Sequence, residues 1–416
     1  MYFHLEYQAI MANFIDFLHS SELLDQSRIK PTAFIRKRTL TFPVMLVAML
    51  SGFKASVQTE LNAFFSHLAN QADLTREASA QAFSKARKHF SHTAFSILNQ
   101  HLMTLVASGL ITPHWNGLRV VAADASKMRL YLQDASHRFV GEAVAFGLYL
   151  PGLEMMLSSE LYSASVGERQ MLFEHLPRLS ANDLLVLDRG YPARWLIAYL
   201  TQQEIAFCMR VDQTGFVAVQ HFLRSGMAEQ TVTIGKPKAR YCTDYECQPI
   251  PSTVRLVKII TPNGRQYVVM TSLLDSLAYP ASDFAALYHS RWRIEEAFKR
   301  LKHRLALENT SGLSWLAAQQ DFGAKILADN LHSLTVHATE AYETIKDGYK
   351  INRTYAFSHL KRCLPRWLLV LMPTADQFVA TLKEIAKNLI AVVQDVSKPR
   401  PNHPKPHRKQ AYKSTC

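Results

Sequence analysis

Leu184-Leu-Val-Leu-Asp-Arg-Gly-Tyr191 is an unbroken apolar run that ends in a carboxylate, and Pro192 directly behind it opens a helix through Leu200. A run this short, apolar at every position and bounded by Gly and Pro, is the pattern of a strand covered on both faces. Leu118-Arg-Val-Val-Ala-Ala-Asp124 repeats the pattern upstream. Between the two, residues 128–132, 145–150 and 155–161 read as strands and 167–176 as a helix. Strands alternating with helices predict a mixed α/β sheet with buried central strands, two of which deliver an aspartate at their ends.

Working outward, residues 206–211, 216–222, 231–234, 254–260 and 267–273 read as strands separated by turns such as Thr261-Pro-Asn-Gly264. They form a β-rich insertion before the next helix. Residues 1 to about 110 are helical in pattern, with apolar residues at helical spacing over 10–18, 43–50, 57–68 and 78–98. The expected layout is a helical domain over 1–112, an α/β core in two parts over 113–205 and 279–340, and the insertion over 206–278. C-terminal helices follow over 341–396, then a tail, 397–416, whose four Pro and six Lys or Arg predict disorder.

Lys and Arg outnumber Asp and Glu by 47 to 34, an excess that favours a polyanionic partner, nucleic acid before a membrane surface. Basic groups cluster at Arg36-Lys-Arg38 and at Lys85-Ala-Arg-Lys-His89. In the second cluster Gln81, Lys85 and Lys88 share one helix face, which fits either a recognition helix touching phosphates and base edges or an ordinary solvated face. The five Cys are scattered; Cys242 and Cys247 lack the partners of a four-ligand zinc site and read as structural. No stretch reads as membrane-spanning or as a secretion signal, so a cytoplasmic protein is expected.

The segment Tyr288–Lys302, YHSRWRIEEAFKRLK, lacks Gly and Pro and reads as part of one helix from Ser282 to about Arg304. With Tyr288 at zero and about 100° per residue, Arg291, Glu295 and Lys302 fall at about 300°, 340° and 320°. Lys299 and Trp292 follow at about 20° and 40°, beside an apolar stripe of Leu287, Ile294, Phe298, Leu301 and Leu305. Three carboxylates, Asp124, Asp188 and Glu295, are the oxygen donors that a pair of hard divalent cations needs for phosphoryl transfer. Any one of the aspartates alone would more often cap a loop.

Tyr288-x2-Arg291-x3-Glu295-x6-Lys302 resembles the Tyr-Arg-Glu-Lys motif of the insertion-sequence-four family of bacterial transposases. The blocks Val-Ala-Ala-Asp124-Ala-Ser and Leu-Val-Leu-Asp188-Arg-Gly-Tyr match the family's two aspartate blocks, in order. Ala125 stands where relatives often carry Gly. The resemblance spans about residues 30–340. It implies an α/β fold, with an RNase H-like catalytic domain interrupted by the β-rich insertion, an all-helical DNA-binding domain before it and helices after it. It implies Asp124, Asp188 and Glu295 as catalytic and metal-binding residues for Mg²⁺, with Mn²⁺ as a substitute. Tyr288, Arg291, Lys302, Lys299 and Arg189 would contact DNA, Trp292 would stack on an extruded base, and Tyr267 is the candidate to hold a flipped base. Tyr267 also fits as an ordinary packed strand aromatic. The implied activity is cut-and-paste transposition on terminal inverted repeats and target DNA by a homodimer. A catalytically silent end-binding protein and a nuclease without strand transfer are the alternatives.

Overall fold

The computed structural model describes residues 3–36, 38–53, 55–134, 138–261 and 263–392. Lys37 of the first basic cluster and the basic tail 397–416 lie outside them. The chain divides into two compact units. One comprises Met1–Ile111, Met128–Ala143 and Arg300–Cys416, and the other Thr112–Lys127 and Val144–Lys299.

The first unit opens with α1 (Phe3–Leu18), α2 (Ser21–Ser27), α3 (Phe42–Leu50), α4 (Val57–Ala69), α5 (Ala80–Ala86) and α6 (Thr93–Gly109). The helical pattern read over 78–98 is divided between α5 and α6 and interrupted at Phe90, because the backbone there is claimed by another segment. Ile29 N–H donates to His89 O at 3.0 Å and Ser91 N–H to Ser27 O at 2.8 Å, a short bridge that is incompatible with helical pairing at the same atoms.

The second unit is built on an eight-stranded sheet. Its strands are β1 (Arg119–Gln133), β2 (Arg138–Leu150), β3 (Met155–Ser163), β4 (Asp183–Leu187), β5 (Ala206–Val211), β6 (Glu229–Ile234), β7 (Ser252–Ile260) and β8 (Gln266–Thr271), in the spatial order β3-β2-β1-β4-β5-β8-β7-β6. The far ends of β1 and β2 belong to the first unit. β1, β4 and β5 run parallel, with α7 (Glu168–His175) between β3 and β4 and α8 (Arg194–Gln202) between β4 and β5. β4 is buried at every position, as its all-apolar sequence demands. The strands expected as an insertion join the same sheet: β5 pairs in parallel with β4, and β8, β7 and β6 follow by antiparallel pairing.

Two readings need correction here. β1 does not stop at Asp124 but continues to Gln133, absorbing the strand expected over 128–132. Ala125 therefore sits in extended backbone, where no positive φ is required and a glycine has no advantage. Residues 216–222 are not a strand but the start of α9 (Val217–Ser225). Val219 and Phe222, three apart, are its buried pair, and Gly226 ends it at φ 74°, so helical spacing wins over an alternation that also suited a strand. A short helix, α10 (Ala239–Asp244), precedes β7.

The expected helix from Ser282 to Arg304 is α11 (Phe284–Ser290) followed by α12 (Trp292–Arg304). The cause of the break is local. Ser290 Oγ donates to Leu287 O at 2.6 Å, the carbonyl that Arg291 N–H would use in a regular α-turn, and Arg291 N–H turns to Tyr288 O at 3.2 Å instead. The wheel that assumed one regular helix is thus interrupted at Arg291 itself.

Within the first unit, α13 (Trp315–Tyr342) is buried along most of its length and packs against α1, α3, α6, α14 (Arg353–Leu369) and α15 (Ala375–Ala386). The last stretch, expected as helix throughout, also forms a two-stranded ladder of β9 (Tyr349–Ile351) and β10 (Leu389–Ala391). Polar residues of α13 are paired inside the bundle: Gln320 and Asp321 with Arg87, Asn330 with Asn99, and Asp329 with Arg300. Arg87, read as part of a basic surface cluster, is consequently an interior residue, 4% exposed.

Candidate active site

Parallel pairing of β1 with β4 sets Arg119 opposite Asp183 and Ala122 opposite Val186. Arg119 locks that register with two bonds to the fully buried Asp183, Nε to Oδ1 at 2.6 Å and Nη2 to Oδ2 at 2.8 Å. Continuing the register by two residues carries Asp124 level with Asp188. Equal parity in a parallel pair places both side chains on one face. Pairing stops just before this level, so β1 and β4 part where the two carboxylates stand.

Asp188 Oδ1 accepts a 2.7 Å bond from Gly190 N–H, which fixes the start of the Asp-Arg-Gly-Tyr loop. Glu295, in the first turn of α12, accepts from Arg291 Nη2 at 2.8 Å. Arg291 is buried, and its Nε and Nη1 have no hydrogen-bond acceptor among the described residues, so its guanidinium is only partly satisfied by the bond to Glu295. Arg291, Glu295 and Asp188 all act electrostatically on Asp124. Burial, and then the neighbouring charges of Glu295 and Asp188, raise the Asp124 carboxyl from 3.8 to about 7, against the opposing pull of Arg291. The structure thus brings the three expected carboxylates and Arg291 into one electrostatic neighbourhood. As placed, no three His, Cys, Asp or Glu side chains among the described residues form a ready-made ion site.

Around them lies a ladder of aromatic and guanidinium groups. Arg210 lies 5.1 Å from the ring of Tyr267, whose ring is 5.4 Å from that of Tyr288. The Arg291 guanidinium is 5.7 Å from Tyr288 and 5.9 Å from Trp292. Trp292 is 44% exposed and free to stack, whereas Tyr288 is buried in a cluster with Leu184, Val186, Val257, Val269 and Phe284. Burial pushes the Tyr288 hydroxyl up to about 12. Tyr267 is partly buried against the same cluster, so it both packs and borders the site. Arg189 is exposed and pairs loosely with Asp212 at 3.8 Å, a contact of little energy. Lys299 is exposed on α12. Lys302 lies further along the helix, in the first unit, and burial lowers its ammonium below the ordinary range while Glu308 opposes. Gln81, Lys85 and Lys88 are all exposed, on and just beyond α5.

Sequence reasoning missed three neighbours of this site. Glu168, at the start of α7, has its carboxyl raised by burial and by Asp188, with Lys127 opposing. Tyr191 is buried beside Glu168, Asp124 and Asp188, with its hydroxyl unpartnered. Tyr191 did carry a signal, since it closes the Asp188-Arg-Gly-Tyr block. Glu168 and Lys127 carried none that spacing could reveal.

Residues 115–331, more than half of the chain, match the family model described as "Transposase DDE domain". Among solved structures, the chain is similar to a piggyBac transposase in a synaptic complex with hairpin DNA. The identity is 9%, 96% of this chain and 87% of that chain are covered, and the TM-score is 0.42. No curated protein matches the chain significantly. No helix among the described residues is long and apolar enough to cross a membrane.

Proposed function

The chain belongs to the transposase DDE domain family, and from that premise we propose that it is a cut-and-paste DNA transposase of the insertion-sequence-four kind, with an RNase H-like catalytic domain. The observation that carries the reading is the register that sets Asp124 level with Asp188 beside the Arg291–Glu295 pair, all inside the family segment. Asp124, Asp188 and Glu295 are the catalytic carboxylates. They fit Mg²⁺, or Mn²⁺ in its place, because they are hard oxygen donors, and because burial first and then the charges of Glu295 and Asp188 lift Asp124, a cost that a dication beside it would offset. When bound there, Mg²⁺ supplies Lewis acidity and positive charge for phosphoryl transfer.

The chain's own groups divide the remaining work. Asp124, Asp188 and Glu295 bind and orient, and Arg291 presents unpaired N–H donors to a phosphate. Tyr288, Lys299, Lys302 and Arg189 add contacts to the DNA backbone, while Trp292, with Tyr267, offers stacking surfaces for a base out of the helix. Water hydrolyses one strand at the transposon end. The freed 3′-hydroxyl attacks the second strand, closing a hairpin and releasing the flanking DNA. A second water reopens that hairpin, and the regenerated 3′-hydroxyl attacks target DNA, whose own 3′-hydroxyl leaves. Two copies pair the two terminal inverted repeats in the cytoplasm. A labelled transposon end with Mg²⁺ and a supercoiled target should give cleaved and joined products. No cleavage would leave a silent end-binding protein, and cleavage without joining would leave a nuclease.

The helical domain over 1–112 is assigned to end binding through α5. Lys85→Ala combined with Lys88→Ala should weaken binding and reduce the salt slope by about 2, since each phosphate contact contributes roughly 0.9. An unchanged slope in filter binding across a salt series refutes that assignment.

The raised Asp124 carboxyl has a signed consequence. Its folded pKa, about 7, exceeds the ordinary 3.8, so folding favours the protonated form. Stability from this group is fully present below about pH 4 and is lost as pH rises through about 7. A dication must displace that proton, so Mn²⁺ affinity should rise about tenfold per pH unit between about pH 5.5 and 7 and level off above. Calorimetric titration at stepped pH checks this, and a flat profile contradicts it.

A further inference from the structure

Asp188 is approached from a side that the three-carboxylate description leaves out. α7 is fastened to the loop that carries it: Arg169 donates from Nε to Tyr191 O at 3.1 Å and from Nη2 to Pro192 O at 3.3 Å. At the other end of α7, His175 is held by Ser158 Oγ at 2.6 Å and the Tyr162 hydroxyl at 3.1 Å, both on β3. Glu168, the residue before Arg169, is thereby fixed beside Gly190. A β-carbon at Gly190 would stand 3.1 Å from Asp188 Oδ1 and 3.8 Å from Glu168 Oε2. The two carboxylates border one space that the glycine keeps open.

A second observation points into the same place. Tyr191 is 1% exposed, and its buried hydroxyl has no hydrogen-bond partner among the described residues. The acidic groups acting on that hydroxyl are Glu168, Asp124 and Asp188, with Arg291 opposing them. Leaving a buried hydroxyl bond unmade is costly, which singles out this donor as awaiting an oxygen acceptor within the cluster.

We propose that Glu168 is a fourth acidic ligand of the divalent-cation site, on the Asp188 side, with its carboxylate oriented by the Tyr191 hydroxyl. This rests on the reading of Asp124, Asp188 and Glu295 as a cation site. Glu168 would raise the number of hard oxygen donors from three to four and add the extra one on the Asp188 side, which suits a site meant for dications. Gly190 is required so that the space between Glu168 and Asp188 stays free.

The test uses the full chain without DNA and measures Mn²⁺ binding through the electron-paramagnetic signal of free Mn²⁺. Glu168→Gln is expected to weaken Mn²⁺ about tenfold, Glu168→Asp to recover most of the affinity, and Asp188→Asn to abolish binding. The ion-free unfolding midpoint of Glu168→Gln should be no lower than that of the wild type, since one of several like charges is removed. A lower midpoint would show a structural role and overturn the assignment. Unchanged Mn²⁺ affinity in Glu168→Gln, with binding lost in Asp188→Asn, would overturn the assignment of Glu168 alone. Unchanged affinity in Asp188→Asn would overturn the cation site and Glu168 together.

Discussion

Glu295→Gln should lower single-turnover cleavage of a labelled transposon end by about 10²–10³-fold or more while leaving end binding intact. Gln is the informative replacement because its side-chain oxygen still accepts from Arg291 Nη2, which now donates to Glu295 at 2.8 Å. Glu295→Ala would instead strand a guanidinium that already has two unpaired buried nitrogens, and would mix catalytic loss with misfolding. The charge change has a second signature. Glu295 is one of the groups that raise Asp124, so Glu295→Gln should lower the Asp124 carboxyl from about 7. Normal cutting by Glu295→Gln would remove Glu295 from the catalytic set. Lost cutting together with lost end binding would make it a folding or DNA-contact residue.

Arg87→Met should destabilise the helical unit by about 3–5 kcal/mol. The guanidinium donates to Gln320 Oε1 at 2.9 Å, Ser311 Oγ at 2.8 Å, and both Ala317 O and Asp321 Oδ1 at 3.0 Å. Asp321 also accepts from Ser311, but without Arg87 it is a buried carboxylate with no cation against it. Because the chain has two units, denaturant unfolding should be followed by a probe in the helical one, where the transition should move to lower denaturant. The pair is buried, so added salt should restore little. If Arg87 were instead a DNA contact, the role proposed for Lys85 and Lys88, Arg87→Met would unfold like the wild type and lose affinity. A double-mutant cycle with Asp321→Asn would size the coupling directly.

These two residues show how differently charge is used along the chain. Lys85 and Lys88 are exposed around Arg87, which faces inward, although all three belong to one basic run of five residues. Charge excess counts the three alike. Only burial separates the residue that holds the unit together from those available to a polyanion.

The sequence by itself determined the parts whose physics is local. Apolar runs of strand length defined β4 and the start of β1, and each delivered its aspartate. Spacing set Glu295 four residues after Arg291, where the two pair, and the buried stripe of Leu287, Ile294, Phe298, Leu301 and Leu305 is where the periodicity put it. Tertiary structure decided what depends on competition for the same atoms or on distant partners. Ser290 took the carbonyl that would have kept α11 and α12 one helix, and residues 27–29 took the backbone that would have continued α5. Segment 216–222 satisfied two periodicities, and burial of Val219 and Phe222 chose the helix. Glu168 comes beside the Asp188 loop because α7 is fastened to that loop, a contact between segments twenty-two residues apart that no local pattern encodes.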